Sequence, residues 1–123
     1  LFKPALFNLA LVKQKQLYWQ ESIKRFNDYI AVAGLKPSAL NQIGFNYLNL
    51  NDLSNAKSFL KKSLKMAPTN INTLILLGDV FSAQGMAKKA EKNYRIAMNL
   101  NKDPKKENLL KNKIAEIIIK ISK

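Results

Sequence analysis

The sequence contains neither cysteine nor histidine. Without cysteine the chain forms no disulfide, and without histidine it lacks the commonest metal ligand and proton shuttle. Ser-His and Cys-His nucleophilic pairs are excluded with them. The acidic residues number only eight and are scattered. We therefore predict no catalytic residue, no metal and no cofactor, so the chain is not expected to be an enzyme. The compartment stays open, since cytosol and periplasm both suit a cysteine-free chain.

Glycine and proline are scarce, at four residues each, and valine is rare as well. No clean alternation of apolar and polar residues is present, which argues against a sheet. The chain is nevertheless 47% hydrophobic, enough to build a packed core. No apolar run reaches the roughly 18–20 residues that a membrane span needs. The composition therefore favours all-α packing.

Negative charge is also in short supply, because 21 lysine and arginine residues face eight acidic ones, for a net charge of +13. A balance this basic favours acidic proteins, polyanions or anionic membranes as partners. The alternative is that lysine merely keeps a helical surface soluble. Arginine, which suits bidentate phosphate or base recognition, occurs only as Arg25 and Arg95. Specific recognition of nucleic acid is therefore the weaker interpretation.

What the sequence does contain is a self-similarity with a spacing of 34 residues. Ala10, Gly44 and Gly78 lie 34 residues apart. The same spacing relates four further sets: Ser22, Ala56 and Ala90; Phe26, Leu60 and Tyr94; Leu6, Leu40 and Leu74; and Leu9, Ile43 and Leu77. A fixed period of this length indicates stacked supersecondary units and, as a function class, binding.

Apolar periodicity and turn residues predict seven helices. They cover about residues 4–15, 18–32, 37–49, 53–66, 71–83, 86–99 and 105–121. Pro37 suits a first helical turn, and Thr69 or Asn70 can cap the helix that follows. Gly85 supplies a C-terminal turn. Every connection is short, so we expect consecutive helices to pack as antiparallel neighbours.

The repeat resembles the tetratricopeptide repeat, which places a Leu-Gly pair in a first helix and small and aromatic residues in a second. The middle unit matches with Leu40, Ile43, Gly44, Tyr47, Ala56, Leu60 and Pro68, and the next with Leu74, Leu77, Gly78, Phe81, Ala90, Tyr94 and Ala97. The first unit is degenerate and carries Lys13 where an aromatic residue is expected. We expect that unit to be looser.

The resemblance implies an all-α, right-handed superhelical solenoid of three helix-turn-helix repeats plus a C-terminal capping helix. We expect one domain over residues 1–123, with repeats at about 3–36, 37–70 and 71–104 and the capping helix at 105–121. Gly44 and Gly78 should lie where paired helices cross, so that a Cβ would push their backbones apart. Tyr94 should fill a gap between units. Because the chain lacks an initial methionine, we expect a piece of a longer protein.

Proteins with this repeat are interaction scaffolds, so the resemblance implies a protein or peptide partner in a concave groove lined by first helices. The candidate groove residues are Phe7, Asn8, Leu11, Asn41, Gln42, Phe45, Asn49, Asn72, Ile75 and Asp79, with Lys106 and Lys113 added by the capping helix. Amides suit an extended peptide backbone, and Phe45 and Ile75 suit its side chains. The alternative is that Phe45 and Ile75 only pack against neighbouring helices.

One subset of this family binds the acidic C-terminal tails of chaperones through a clamp of Lys, Asn and Arg. The corresponding positions here hold Phe7, Leu11, Gln42, Asn72 and Leu76. The clamp is absent, so we predict no useful affinity for such tails.

The basic residues concentrate on second helices, where they would form a basic convex ridge. Its members are Lys57, Lys61, Lys62, Lys65, Lys88, Lys89, Lys92 and Arg95. The alternative function is electrostatic docking of this ridge to nucleic acid, an anionic membrane or an acidic protein. The simpler interpretation, a solvated surface with no partner, is the favoured one for these charges. A third interpretation is self-association through the isoleucine-rich terminal helix.

Overall fold

The computed structural model describes residues 2–123. Seven α-helices joined by turns make up this part of the chain. They are α1 (Lys3–Lys15), α2 (Trp19–Ala33), α3 (Pro37–Asn49), α4 (Leu53–Met66), α5 (Ile71–Ala83), α6 (Ala87–Leu100) and α7 (Pro104–Ser122). Every predicted helix is present, and no end differs from its predicted position by more than one residue.

Local capping explains where several helices begin. Pro37 and Pro104 occupy the first turns of α3 and α7, where a missing backbone N–H costs no helical hydrogen bond. Of the two predicted caps for α5, it is the side chain of Asn70 that accepts a hydrogen bond from the N–H of Thr73, at 3.2 Å. Asp103 caps α7 in the same way, by accepting from the N–H of Lys105 at 3.0 Å.

The turns α1–α2, α3–α4 and α5–α6 share one hydrogen-bond pattern, known as the Schellman motif. In the first turn the N–H of Tyr18 reaches the carbonyl of Lys13 at 3.0 Å, and the other two turns repeat this bond. The residue at the left-handed position of each turn is Leu17, Asn51 or Gly85, with φ of 65°, 59° and 78°. These residues are again 34 apart, so the repeat extends to the backbone conformation.

The helices form two compact units, of which the first contains α1 to α4 and ends at Met66. Within it α1 packs on α2, α2 on α3 and α3 on α4. The core of the α1–α3 region consists of Ala10, Ile23, Phe26 and Ile43, with six partly buried residues around it. The first repeat therefore has a packed core, although Lys13 stands where an aromatic residue was expected. The Lys13 ammonium lies 5.8 Å from the centre of the Tyr18 ring.

The second unit begins at Ala67 and contains α5, α6 and α7. Helix α6 packs on both α5 and α7. Its core consists of Leu74, Ile75, Leu77, Val80, Ala90, Tyr94, Ala97, Leu110 and Ile117. Only Leu110 and Ile117 come from the last helix, so α7 covers the unit through one narrow apolar face. The predicted extent of a single domain over residues 1–123 stays a prediction.

The two helical glycines are required for a different reason from the one predicted. A Cβ on Gly44 would lie 2.6 Å from Cγ of Leu60, and one on Gly78 would enter the ring of Tyr94. The close approach is therefore between a glycine backbone and a side chain of the partner helix, not between two backbones. Tyr94 accordingly fills the space above Gly78 within its own repeat, rather than only a gap between repeats.

Candidate binding faces

Two of the three groove candidates on α1 serve the core of the first unit. The Phe7 ring meets Phe26 edge-on at 5.2 Å and Tyr29 edge-on at 5.1 Å between ring centres. Leu11 is half-buried against the same cluster. Asn8, by contrast, is exposed. Of this set, Asn8 is the residue that is exposed to a ligand.

An open depression of about 470 Å³ lies beside Asn8. Its walls are formed by Lys3, Pro4, Phe7, Asn8, Tyr29 and Ser38. The structure thus places two of the predicted residues, Phe7 and Asn8, in one concavity. Sequence analysis missed Tyr29 and Ser38, because they lie on α2 and at the start of α3 and only the fold brings them next to α1.

The four candidates on α3 differ in how much surface they present. Asn41 is only 7% exposed. Gln42 is half-buried and accepts a hydrogen bond from Nε2 of Gln14 at 2.9 Å. Phe45 is half-buried with its ring edge-on to Trp19, at 5.9 Å between centres. Asn49 is exposed and donates to the carbonyl of Phe45 at 2.9 Å.

A buried polar network joins α1, α2 and α3, and sequence analysis did not predict it. Gln14 Nε2 donates to Oδ1 of Asn46, and Asn46 Nδ2 donates to Oγ of Ser22, both at 2.9 Å. The Ser22 hydroxyl in turn donates to the carbonyl of Ala10 at 2.8 Å. Asn46 and Ser22 are fully buried. The network holds Gln14, and therefore the side chain of Gln42, in one orientation.

The candidates on α5 comprise one exposed amide, one buried aliphatic residue and one bonded carboxylate. Asn72 is exposed, whereas Ile75 is only 7% exposed. Asp79 accepts two hydrogen bonds on the same oxygen, from the Tyr94 hydroxyl at 2.6 Å and from Lys113 Nζ at 2.8 Å. Lys113 is one of the two residues, with Lys106, that the capping helix was expected to contribute. The structure therefore brings Asp79 and Lys113 together as an ion pair.

This ion pair lines a cavity of about 320 Å³ within the second unit. The remaining walls are Ser82, Ala83, Tyr94, Glu116, Ile117 and Lys120. Burial is the main cause that raises the pKa of the Tyr94 hydroxyl far above its usual range, and the hydrogen bond to Asp79 and the charges of Asp79 and Glu116 act in the same direction. Tyr94 therefore stays neutral and acts as a hydrogen-bond donor to Asp79.

The predicted basic ridge lies on α4 and α6, where all of its members are exposed except Lys57, which is half-buried. Two of its ammonium groups lie near aromatic rings, Lys62 at 5.4 Å from the centre of Phe59 and Lys89 at 5.7 Å from the centre of Phe81. Arg95 pairs with Glu91 at 2.8 Å. The other lysines on α4 make no ion pair within the described residues, which leaves them available to an anion.

Within residues 2–123, no group of three or more acidic side chains is arranged to hold a metal ion. None of the helices described here combines the length and the apolarity that crossing a lipid bilayer requires.

Comparison with known families places the middle of the chain among repeats of one kind. Residues 37–70 match the family model described as tetratricopeptide repeat. No curated protein sequence matches the chain.

Solved structures match over nearly the whole chain. The first tetratricopeptide-repeat domain of Spaghetti (RPAP3), bound to the HSP90 peptide SRMEEVD, has a TM-score of 0.85 and 15% identity, covering 98% of this chain and 94% of that one. The Yersinia enterocolitica type III secretion chaperone SycD, in complex with a peptide of the translocator YopD, has a TM-score of 0.84 and 14% identity, with coverages of 95% and 92%.

PcrH from Pseudomonas aeruginosa is similar to a comparable degree, with a TM-score of 0.86, 12% identity and coverages of 94% and 91%. At these identities the likeness concerns the fold. It confirms the predicted class, an all-α solenoid built from helix-turn-helix repeats.

Proposed function

We propose that this chain, whose residues 37–70 match the tetratricopeptide-repeat family model and whose fold is that of a solved tetratricopeptide-repeat domain, binds a segment of a partner protein through the first helices of its repeats. The fold is that of protein-interaction scaffolds rather than of enzymes. The observation that carries the proposal is the whole-chain likeness to two domains solved with peptides, one from HSP90 and one from a translocator. Those peptides are ligands of those two proteins. The ligand of this chain has to be inferred from the residues on its own surface.

The first unit supports the proposal with a concavity and exposed amides. The depression of about 470 Å³ combines the apolar faces of Phe7 and Tyr29 with the polar groups of Asn8 and Ser38. An apolar floor with a few polar groups at its edge is the usual composition of a ligand site. Asn8 and Asn49 are exposed, so their amides are accessible to a peptide backbone.

The second unit supports the proposal with Asn72 and with the cavity beside Asp79. Asn72 is exposed on the first turn of α5. In the cavity the Asp79 carboxylate is held by Tyr94 and Lys113, and Lys120 is held by the Ser82 hydroxyl at 3.0 Å. Charged side chains fixed before binding lose little conformational entropy when a ligand arrives.

A second candidate function rests on the exposed lysines of α4. Lys61, Lys62 and Lys65 are all exposed, and with a net charge of +13 they favour docking to nucleic acid, an anionic membrane or an acidic protein. The two candidates differ in salt dependence. A contact that neutralises several phosphates weakens by orders of magnitude as salt is raised, whereas amide and apolar contacts change little.

The experiment is a selection of peptides from a random library on the immobilised protein, followed by calorimetry of the selected peptides at low and high salt. We expect affinity to survive high salt and to fall about tenfold in Asn8→Ala or Asn72→Ala. The matched controls are Asn27→Ala and Asn99→Ala, which remove exposed amides from the second helices α2 and α6. Equal losses in all four variants, or loss only in a Lys61→Glu/Lys62→Glu/Lys65→Glu variant, would contradict the proposal.

A further inference from the structure

The turn between α1 and α2 carries a leucine in an unfavourable backbone conformation. Leu17 has φ of 65°, and the equivalent residues of the later repeats are Asn51 and Gly85. Glycine and asparagine tolerate this left-handed region, whereas a residue such as leucine pays a steric cost there. Packing does not compensate, because Leu17 is 66% exposed. The repeat thus keeps an exposed aliphatic side chain at the position where it is least favoured.

The residues next to Leu17 extend the apolar surface. Tyr18 is 58% exposed, and Val12, in the last turn of α1, is also exposed. The Lys13 ammonium lies 5.8 Å from the centre of the Tyr18 ring. We call Lys13, Lys15, Leu17 and Tyr18 the α1–α2 tip. It combines an aliphatic side chain, an aromatic ring with a polar hydroxyl and two cations.

No negative charge opposes these cations within the first helix and its turn. Residues 1–20 contain neither aspartate nor glutamate. The first acidic residue, Glu21, is neutralised by Arg25 at 3.1 Å. Lysine, tyrosine and leucine together, without acidic residues, match the boundary between anionic headgroups and acyl chains.

We propose that the α1–α2 tip docks onto an anionic lipid bilayer. Leu17 and Tyr18 enter the boundary between headgroups and acyl chains, while Lys13 and Lys15 lie against lipid phosphates. A bilayer is favoured over a protein groove because the tip is a three-residue turn with exposed neighbours, a convex shape that needs no complementary pocket. The site is separate from the basic ridge, whose members lie on α4 and α6.

The single tryptophan of the chain, Trp19, adjoins the tip and reports on the test. The protein is mixed with vesicles of phosphatidylserine and brominated phosphatidylcholine, and both Trp19 quenching and co-sedimentation are measured. We expect quenching and binding with these vesicles and neither with vesicles that lack phosphatidylserine. Leu17→Gly should weaken vesicle binding about tenfold. The same substitution should raise the melting temperature by about 4 °C, because glycine removes the steric cost.

Weaker vesicle binding together with a higher melting temperature in Leu17→Gly would show that the loss of binding does not come from a damaged fold. Lys13→Gln and Lys15→Gln should each weaken binding about fivefold, while Met86→Ser, at the position equivalent to Tyr18 in the third repeat, should leave binding unchanged. The proposal is overturned if Leu17→Gly binds vesicles as the wild type does, or if Trp19 is not quenched. Binding that is abolished by Lys61→Glu/Lys62→Glu/Lys65→Glu with Trp19 unquenched would assign the membrane contact to the ridge instead. Failure of vesicle binding leaves the peptide-binding proposal intact.

Discussion

At the scale of single residues, the contact of Gly44 with Leu60 and the contact of Gly78 with Tyr94 should differ in how well they tolerate a glycine-to-alanine substitution. The site above Gly44 is filled by Leu60, whose side chain is held only by packing, whereas the site above Gly78 is filled by Tyr94, whose hydroxyl is bonded to Asp79 at 2.6 Å. Leu60 is fully buried and must shift within the core when a methyl group is added opposite to it, but it loses no hydrogen bond by shifting. The tyrosine ring cannot move without stretching a partly buried hydrogen bond.

We therefore expect Gly78→Ala to destabilise the protein by about 2 kcal/mol more than Gly44→Ala does. The gain in helix propensity is the same in both variants and cancels in the comparison. Urea denaturation measures the difference. Tyr94→Leu, which copies the second repeat, should make Gly78→Ala less costly; if the cost of Gly78→Ala is unchanged in that background, the ring is not the obstacle.

Asn46 is the residue on which the polar network of the first unit depends. It is fully buried, accepts from Gln14 and donates to Ser22. Asn46→Ala removes both bonds and leaves a cavity, so we expect a loss of about 2–3 kcal/mol in the free energy of unfolding. Asn49→Ala is the matched control, because this amide lies on the same helix but is exposed and should cost less than about 0.5 kcal/mol. Similar losses in the two variants would show that the network contributes little.

The Tyr94 hydroxyl makes the free energy of unfolding depend on pH in the alkaline range. Its pKa is raised from the ordinary value of 10.0, first by burial and then by Asp79. The folded protein therefore prefers the protonated tyrosine, and this contribution to stability is complete below pH 10 and is lost as the pH rises further. We expect Tyr94→Phe to show a shallower fall in the free energy of unfolding above pH 10 than the wild type. Parallel pH profiles of the two proteins would contradict this assignment.

At the scale of helices, the number of helices and their bounds can be predicted from the sequence. The helix bounds follow from local signals such as Pro37 and Asn70 acting on a strong apolar period, which is why each end lies within one residue of its prediction. The candidate site is less predictable. The bond from Gln14 to Asn46 joins residues 32 positions apart, and no local pattern encodes it. The backbone of Leu17 could have been anticipated, since it shares the 34-residue spacing with Asn51 and Gly85.

Helix α7 is attached to the second unit by apolar contacts and by polar bonds to α5. Leu110 and Ile117 are buried, while Lys113 pairs with Asp79 and Lys120 bonds to Ser82. The pair of Lys113 and Asp79 is about one quarter exposed on each side, so solvent screens it less than a surface pair.

Lys113→Met should therefore destabilise the second unit by about 1 kcal/mol. Lys111→Met is the matched control on the same helix, since its pair with Glu107 is exposed and longer, at 3.5 Å, and we expect almost no effect. Hydrogen exchange of the α7 amides adds a local readout. Faster exchange confined to α7 in Lys113→Met is expected, and equal exchange in the two variants would mean that the apolar face alone holds the helix.

At the scale of the whole molecule, similarity of the fold and similarity of the residues that select a ligand are different properties. The chain matches the peptide-bound RPAP3 domain along 98% of its length at 15% identity, yet the positions that would clamp an acidic tail are changed. Phe7 and Leu11 are packed into the core of the first unit, and the Gln42 carbonyl is bonded to Gln14. We therefore expect that the likeness in backbone does not extend to the ligand.

We predict that the peptide SRMEEVD, which the RPAP3 domain binds, has no specific affinity for this chain. Its carboxylates would find only a general excess of positive charge, +13 over the sequence, which salt screens within about 10 Å at 0.1 M. Calorimetry at low salt should show weak heats that disappear as salt is added, with a dissociation constant above about 1 mM. A scrambled peptide of the same composition is the control and should behave identically. Tight binding of SRMEEVD that exceeds binding of the scrambled peptide and persists in salt would mean that other residues, such as Lys3 beside the first-unit depression, replace the missing clamp.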